Sequence, residues 1–144
     1  MDSMASVFSM IRDGELPGRF VWRDDVCFVI PTINPITPGH VLVVPNEEVD
    51  HWIDLDDASW RHCNDVAKHL GRAIDDAWDY ERVAVAVAGF EVPHMHIHVI
   101  GADSMADMSF ARAEQDPDPN RLDEDAERIR TTLRAAGHDH VVDA

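Results

Sequence analysis

The chain has 144 residues, 45% of them hydrophobic and 28% charged, the size and makeup of one globular domain. It carries 28 Asp+Glu against 12 Lys+Arg, a formal net charge of −16 at pH 7, and Lys68 is the one lysine. That balance excludes a surface that grips a nucleic acid polymer or an anionic membrane by counter-charge.

No apolar run reaches about 18 residues, and the first residues (MDSMASVFSMIRDGELP) lack a basic segment before an apolar one, so neither a membrane span nor a signal peptide is expected. Two cysteines, Cys27 and Cys63, sit inside apolar patterns as small buried hydrophobes. A cytoplasmic location is the expectation.

Residues 6–13 are short and amphipathic, and Gly14, Pro17 and Gly18 end them after one or two helical turns. Phe20–Trp22 and Val26–Ile30 are β-branched and aromatic runs separated by Asp24 and Asp25, which predicts a hairpin. NPITPGH is a turn, and His40–Pro45 (HVLVVP) reads as a buried strand. Over 56–79 the apolar residues Trp60, Cys63, Ala67, Leu70, Ile74 and Ala77 recur at helical spacing, with Asp54 or Asp56 placed as the cap. Residues 83–89 and 92–100 predict an antiparallel strand pair with a very short link. Residues 114–120 form a polar, proline-bearing linker. Beyond them Leu122, Ala126, Ile129 and Leu133 mark a weaker helix, capped by Asp118 or Asn120 and stopped at Gly137. The tail HDHVVDA is expected to fray, leaving His138 and His140 solvated.

Chemistry concentrates at His94, His96 and His98. On a strand their alternate positions share one face, while Met95, Ile97 and Val99 point to the other. With nine histidines in the chain, H-x-H-x-H arises by chance roughly 0.03 times at this length. Three readings are open. Each imidazole could be a structural group with its own partner. Two of them with an outside ligand such as His40 could hold a metal; all three on one ion is excluded, because His94 and His98 would stand roughly 13 Å apart along a strand. Or adjacent imidazoles disfavour one another's protonation, so that a neutral ring nitrogen attacks phosphorus and leaves a labile phosphorus–nitrogen adduct.

His94-Met-His96-Ile-His98-Val-Ile resembles the histidine triad (HIT) signature, and NPITPGHVLVVP (34–45) resembles that family's second signature. The likeness extends over about residues 6–101. It implies an α+β fold with a five-stranded antiparallel sheet, one main helix, a short N-terminal helix and a C-terminal helix, arranged as a HIT-like domain over 1–110 with a linker and helix appended over 111–144. It also implies a homodimer that joins two sheets, and a nucleotide phosphoramidate or dinucleoside polyphosphate hydrolase that needs no cofactor. By position, His96 resembles the nucleophile that attacks the α-phosphorus, His98 and His40 the phosphate-side and supporting imidazoles, and His94 the residue whose carbonyl orients the nucleophile. Gly89 stands in the phosphate loop. Phe8, Ile11, Leu16 and Ile30 would surround the base, with Ile33 near the ribose and Asn34 either a nucleotide contact or a turn residue.

Several positions depart from the family's pattern. Where metal-binding members carry C-x-x-C the chain has Ser6 and Ser9, and Glu48 replaces a histidine, so a structural zinc site is not expected. Thr32 stands for a ribose-contacting aspartate. Gly89-Phe90-Glu91-Val92 replaces G-Q-S/T-V, which puts a carboxylate at Glu91 beside the leaving group, where it would donate a proton or favour a cationic amine. Two non-catalytic readings remain: a nucleotide-binding or partner-binding module with little turnover, and a histidine-based metal-binding domain. No Lys or Arg lies between Arg23 and Arg61 or between Arg82 and Arg112, so phosphate would be held by imidazole and backbone N–H groups.

Overall fold

The computed structural model describes residues 5–143. Its strands are β1 (Trp22–Arg23), β2 (Cys27–Pro31), β3 (Val41–Pro45), β4 (Arg82–Ala86) and β5 (Ile97–Ala102), and its helices α1 (Val7–Arg12), α2 (Asp57–Ala77) and α3 (Pro119–Ala135). The strands form one antiparallel sheet in the order β1-β2-β3-β5-β4.

Strands β2 and β3 are buried along their whole length, which is why their sequences are continuous apolar runs rather than alternations. The pleat still sorts them. Cys27, Val29, Val41, Val43, Ile97 and Val99 join the core under α2, while Phe28, Ile30, Leu42 and Val44 form a second cluster with Phe8 of α1 on the other face. In register, Leu42 faces His98, so β5 presents its histidine to the α1 side.

Helix α2 follows its predicted stripe, burying Cys63, Val66, Ala67, Leu70, Ala73 and Ile74. The Asp56 carboxylate accepts from the Ser59 N–H, a cap contributing about 1 kcal/mol. Helix α3 starts at Asp118, whose side chain caps it, and its Ala126, Ile129 and Leu133 are fully buried members of the core under α2. No described helix is long and apolar enough to cross a membrane.

Three expectations are corrected. The strand pair is shorter than read: β4 stops at Ala86 and β5 starts at Ile97, so residues 87–96 form a loop instead of a very short link. Gly89 takes φ +80 there, Pro93 has no N–H to donate, and His94 and Met95 give their N–H groups to Val92 and Val49 carbonyls outside the ladder. His94 and His96 therefore precede the strand, and only His98 lies in it. The run Phe20–Trp22 contributes only Trp22 to β1. Finally, the tail is docked rather than frayed: the Arg23 N–H donates to the His140 carbonyl at 3.0 Å, the His138 and His140 rings lie 5.3 and 5.4 Å from Trp22, and Val141 packs on the core.

Candidate functional site

His40 enters the site because Gly39 turns the chain at φ +87, a conformation that suits glycine, with the Trp78 ring filling the space a Cβ would need. A cleft of about 420 Å³ opens beside it. Its walls come from the turn after β2 (Thr32, Asn34), the loop after β4 (Ala88 to Val92), the imidazoles of His40, His96 and His98, and the segment after β5 (Phe110, Ala113, Gln115).

Obligate donors and acceptors of the backbone fix the ring tautomers. The His96 Nδ1–H donates to the His94 carbonyl at 2.9 Å, which leaves the Nε2 lone pair as the free nitrogen of a ring lining the cleft. The Ile36 N–H donates to His40 Nδ1 at 3.1 Å, so the proton of neutral His40 sits on Nε2 and passes to His98 Nδ1 at 2.9 Å. His98 is thereby left with its proton on Nε2. A nucleophilic nitrogen and a hydrogen-bond donor stand side by side, with ring centroids 4.9 Å apart.

Burial is the main reason these rings are neutral. It pushes His40 down to about 3 and His98 to about 4, with neighbouring imidazoles adding a smaller push in the same direction. His96 is also lowered by burial, opposed in part by its bond to the His94 carbonyl and by Glu91. Mutual repulsion among imidazoles, the cause expected from the sequence, is thus the lesser one.

His94 does not line the cleft. It is fully buried, donates from Nε2 to the Pro45 carbonyl at 2.7 Å, and accepts at Nδ1 from the Ser6 hydroxyl at 2.6 Å. Ser6, Ser9 and Glu48, noted in the sequence as departures from a zinc set, come together in space around His94: Glu48 Oε1 accepts from the Ser9 hydroxyl at 2.7 Å and from the Ser6 N–H at 2.6 Å. Two hydroxyls replace thiolates, and the polar groups satisfy one another, so this donor set does not suit a zinc ion.

The loop 87–96 leaves several of its backbone donors unused by other backbone groups. Among the described residues, the N–H groups of 89–92 donate to no backbone carbonyl. Glu91 lines the cleft close enough to His96 to raise its pKa, and the Phe90 ring is 95% exposed.

The residues expected around a nucleoside divide. Thr32, Asn34, Gly89, Glu91 and Val92 line the cleft. Phe8, Ile11 and Ile30 gather beside it in the second apolar cluster, which Val92 also joins, and Phe8 meets the His96 ring edge-on at 4.9 Å. Leu16 and Ile33 lie in neither group, and Ile33 is 67% exposed.

Sequence reasoning missed Phe110, Ala113 and Gln115. Phe110 stands edge-on to His98 at 4.8 Å. The strap is tied down by the Asn34 side-chain amide donating to the Glu114 carbonyl at 2.8 Å and the Glu114 N–H donating to the Pro35 carbonyl at 3.0 Å. A lone phenylalanine in a polar stretch was the only signal, and it has no motif attached.

Comparison with known proteins gives a consistent result. A family model described as HIT domain matches residues 13–105. An uncharacterized HIT-like protein of Borreliella burgdorferi is 30% identical over 131 residues, covering 86% of this chain and 90% of its own. An uncharacterized HIT-like protein of Methanocaldococcus jannaschii is 32% identical over 103 residues, covering 65% and 76%. The crystal structure of a zinc-bound histidine triad family protein from Mycobacterium smegmatis superposes with a TM-score of 0.78 at 24% identity, covering 94% of this chain and 97% of that one.

Proposed function

Since the chain belongs to the HIT family, we propose that it hydrolyses a nucleotide phosphoramidate or a dinucleoside polyphosphate through a covalent nucleotidyl-His96 intermediate. The observation that carries the reading is the pair of fixed tautomers: a free Nε2 lone pair on His96 beside an Nε2–H on His98. His96 Nε2 attacks the α-phosphorus, and the bond to the leaving oxygen or nitrogen breaks with its electron pair, the leaving group taking a proton from solvent. The positive charge that forms on His96 is stabilised by the His94 carbonyl at Nδ1–H and by Glu91. His98 Nε2–H and the loop amides hold the phosphoryl oxygens, which the −16 chain could not attract by surface charge. Water then attacks phosphorus, the bond to His96 Nε2 breaks with its electron pair returning to the ring, and the water's proton passes to solvent.

Glu91 beside the leaving-group side favours a cationic amine there over another phosphate. The sheet edge at β4, with Val85 60% exposed and a groove of about 620 Å³ shared with Lys68, Gly71 and Arg72 of α2, is where a second copy would extend the sheet into a homodimer.

Mixing the protein with an adenosine phosphoramidate and measuring intact mass tests the chemistry. Wild type should show an adenylyl adduct or release AMP, and His96→Ala neither. Wild type that binds AMP but gives no adduct and no AMP release would make this a binding module instead. Glu91→Gln should lower kcat/KM for the amine leaving group relative to a nucleotide one, and equal effects on both would remove Glu91 from leaving-group selection.

A further inference from the structure

On the sheet face opposite the cleft, three potential metal ligands converge: the Asp24 carboxylate, the Cys27 thiol and the His62 imidazole, with ligand atoms all within 4.8 Å of one another. We propose that they form a binding site for one divalent transition-metal ion, zinc by donor chemistry.

The geometry is close to what an ion would need. Bonds of about 2.0 to 2.3 Å in a tetrahedral site put ligand atoms about 3.3 to 3.8 Å apart. The Cys27 sulfur and Asp24 Oδ2, 3.8 Å apart, already match that span, whereas His62 Nε2, 2.7 Å from Oδ2, must move away from it by about 0.6 Å to admit an ion. The connectivity also fits: two ligands separated by two residues in the tight turn between β1 and β2, the third from α2. Asp24 is oriented from outside the site. Its Oδ1 accepts from the Val26 and Cys27 N–H groups, both at 2.8 Å, and its Oδ2 from the Trp22 indole N–H at 2.8 Å. Bonds of this kind fix a metal-ligating carboxylate.

Without an ion, Oδ2 is also the focus of the His62 Nε2 contact at 2.7 Å and of the Cys27 thiol at 3.8 Å. An ion would replace those two contacts. The dication would displace the Cys27 thiol proton to solvent against the Cys63 neighbour and the burial that push that thiol's pKa up, His62 would bind through Nε2 with a proton on Nδ1, and both would join Asp24 on the metal. Carboxylate, thiolate and a dication sum to zero charge, which suits a site where Cys27 is fully buried and the Asp24 side chain is 5% exposed. His62, 39% exposed, supplies the entry side and leaves a fourth position for water. The ion would pin the β1–β2 turn to α2. It would be separate from the Ser6/Ser9/Glu48/His94 group and from the cleft, because Cys27 packs in the core under α2 while His98 faces the α1 side.

The test uses untagged, chelator-treated full chain titrated with Co²⁺ and then Zn²⁺. Expected are one Co²⁺ per chain, a thiolate-to-cobalt charge-transfer absorption, its bleaching by Zn²⁺, and a Tm that rises with metal. Cys27→Ser should abolish the charge-transfer band, and His62→Ala, at a half-exposed position that folding tolerates, should weaken affinity about 100-fold or more. His96→Ala should bind as wild type does. Failure of wild type to retain an ion after dialysis, or metal binding unchanged in His62→Ala and Cys27→Ser, would overturn the proposal in favour of a hydrogen-bonded cluster alone.

Discussion

Eight of the nine histidines, all but His51, gather into two groups on opposite faces of one sheet. In and just behind the cleft, each ring of His40, His96, His98 and the non-lining His94 is tied to a backbone group or to a ring that is, and burial keeps all four neutral. On the other face, His62, His69, His138 and His140 surround Trp22 and Asp24, held by ring contacts and one carboxylate, and they are half-buried or exposed. The first arrangement specifies which nitrogen carries a proton. The second specifies only proximity. Tautomer control needs backbone partners, and backbone partners require that the segment carrying the ring be set by the sheet or its turns.

The largest expected difference between the groups is catalytic. His96→Ala should lower kcat/KM on a nucleotide phosphoramidate about 10³-fold or more, because no other group in the cleft offers a free lone pair at that place. A His138→Ala/His140→Ala double variant should keep wild-type kcat/KM. Equal losses in both would mean the two groups are not chemically distinct.

The first group was legible in the sequence because its residues are neighbours in the chain. The period of two from His94 to His98 and the turn before His40 are local patterns, although only His98 lies in the strand and the loop before β5, not the pleat, places His94 and His96. The second group was not, since Trp22 of β1, His62 and His69 of α2, and His138 after α3 come from three segments that only the packing of α2 and α3 brings together. The same limit explains Phe110, which reaches His98 across a linker that carries no periodic pattern. It also explains the loop 87–96, where a run of alternating apolar residues reads as strand but Gly89 and Pro93 withdraw it from the ladder.

Acid should separate the two groups next. An imidazole with a lower pKa in the folded chain binds fewer protons there than when unfolded. Its contribution is complete above an unfolded value of about 6.5 and is lost as the pH falls toward about 3 for His40 and about 4 for His98. Asp24, held down to about 2 by hydrogen bonds from Trp22, His62 and two backbone amides that outweigh its burial, contributes above about 3.8 and fails only below that. Thermal melts should therefore show Tm falling already between pH 6.5 and 4. His40→Gln should flatten that slope, and Asp24→Asn should leave it in place. A Tm constant down to pH 4 in wild type would contradict a neutral, buried cleft.

A smaller effect is expected where the strap meets the cleft. Phe110→Ala removes an edge-on contact with His98 but no hydrogen bond, so His98 keeps its tautomer through His40. KM should rise about threefold to tenfold with kcat nearly unchanged, in keeping with an aromatic contact of about 1 kcal/mol. A drop in kcat instead would place Phe110 in the positioning of His98.

The smallest effect on turnover is expected from the tail that completes the second group. Removing residues 138–144 deletes the His138 ring packed against Trp22 and His69, the His140 carbonyl that accepts from the Arg23 N–H, Val141 on the core under α2 and Val142 on the second apolar cluster. These contacts are partly exposed, and β1 keeps its pairing with β2 without them. The loss should be about 1 to 2 kcal/mol, a fall of a few degrees in Tm, with kcat/KM unchanged and faster amide exchange at Arg23. A tail free in solution would give the same Tm with and without these residues. A docked tail that mattered to chemistry would change kcat/KM, and only the first pattern, lower Tm with intact turnover, keeps the two faces of the sheet independent.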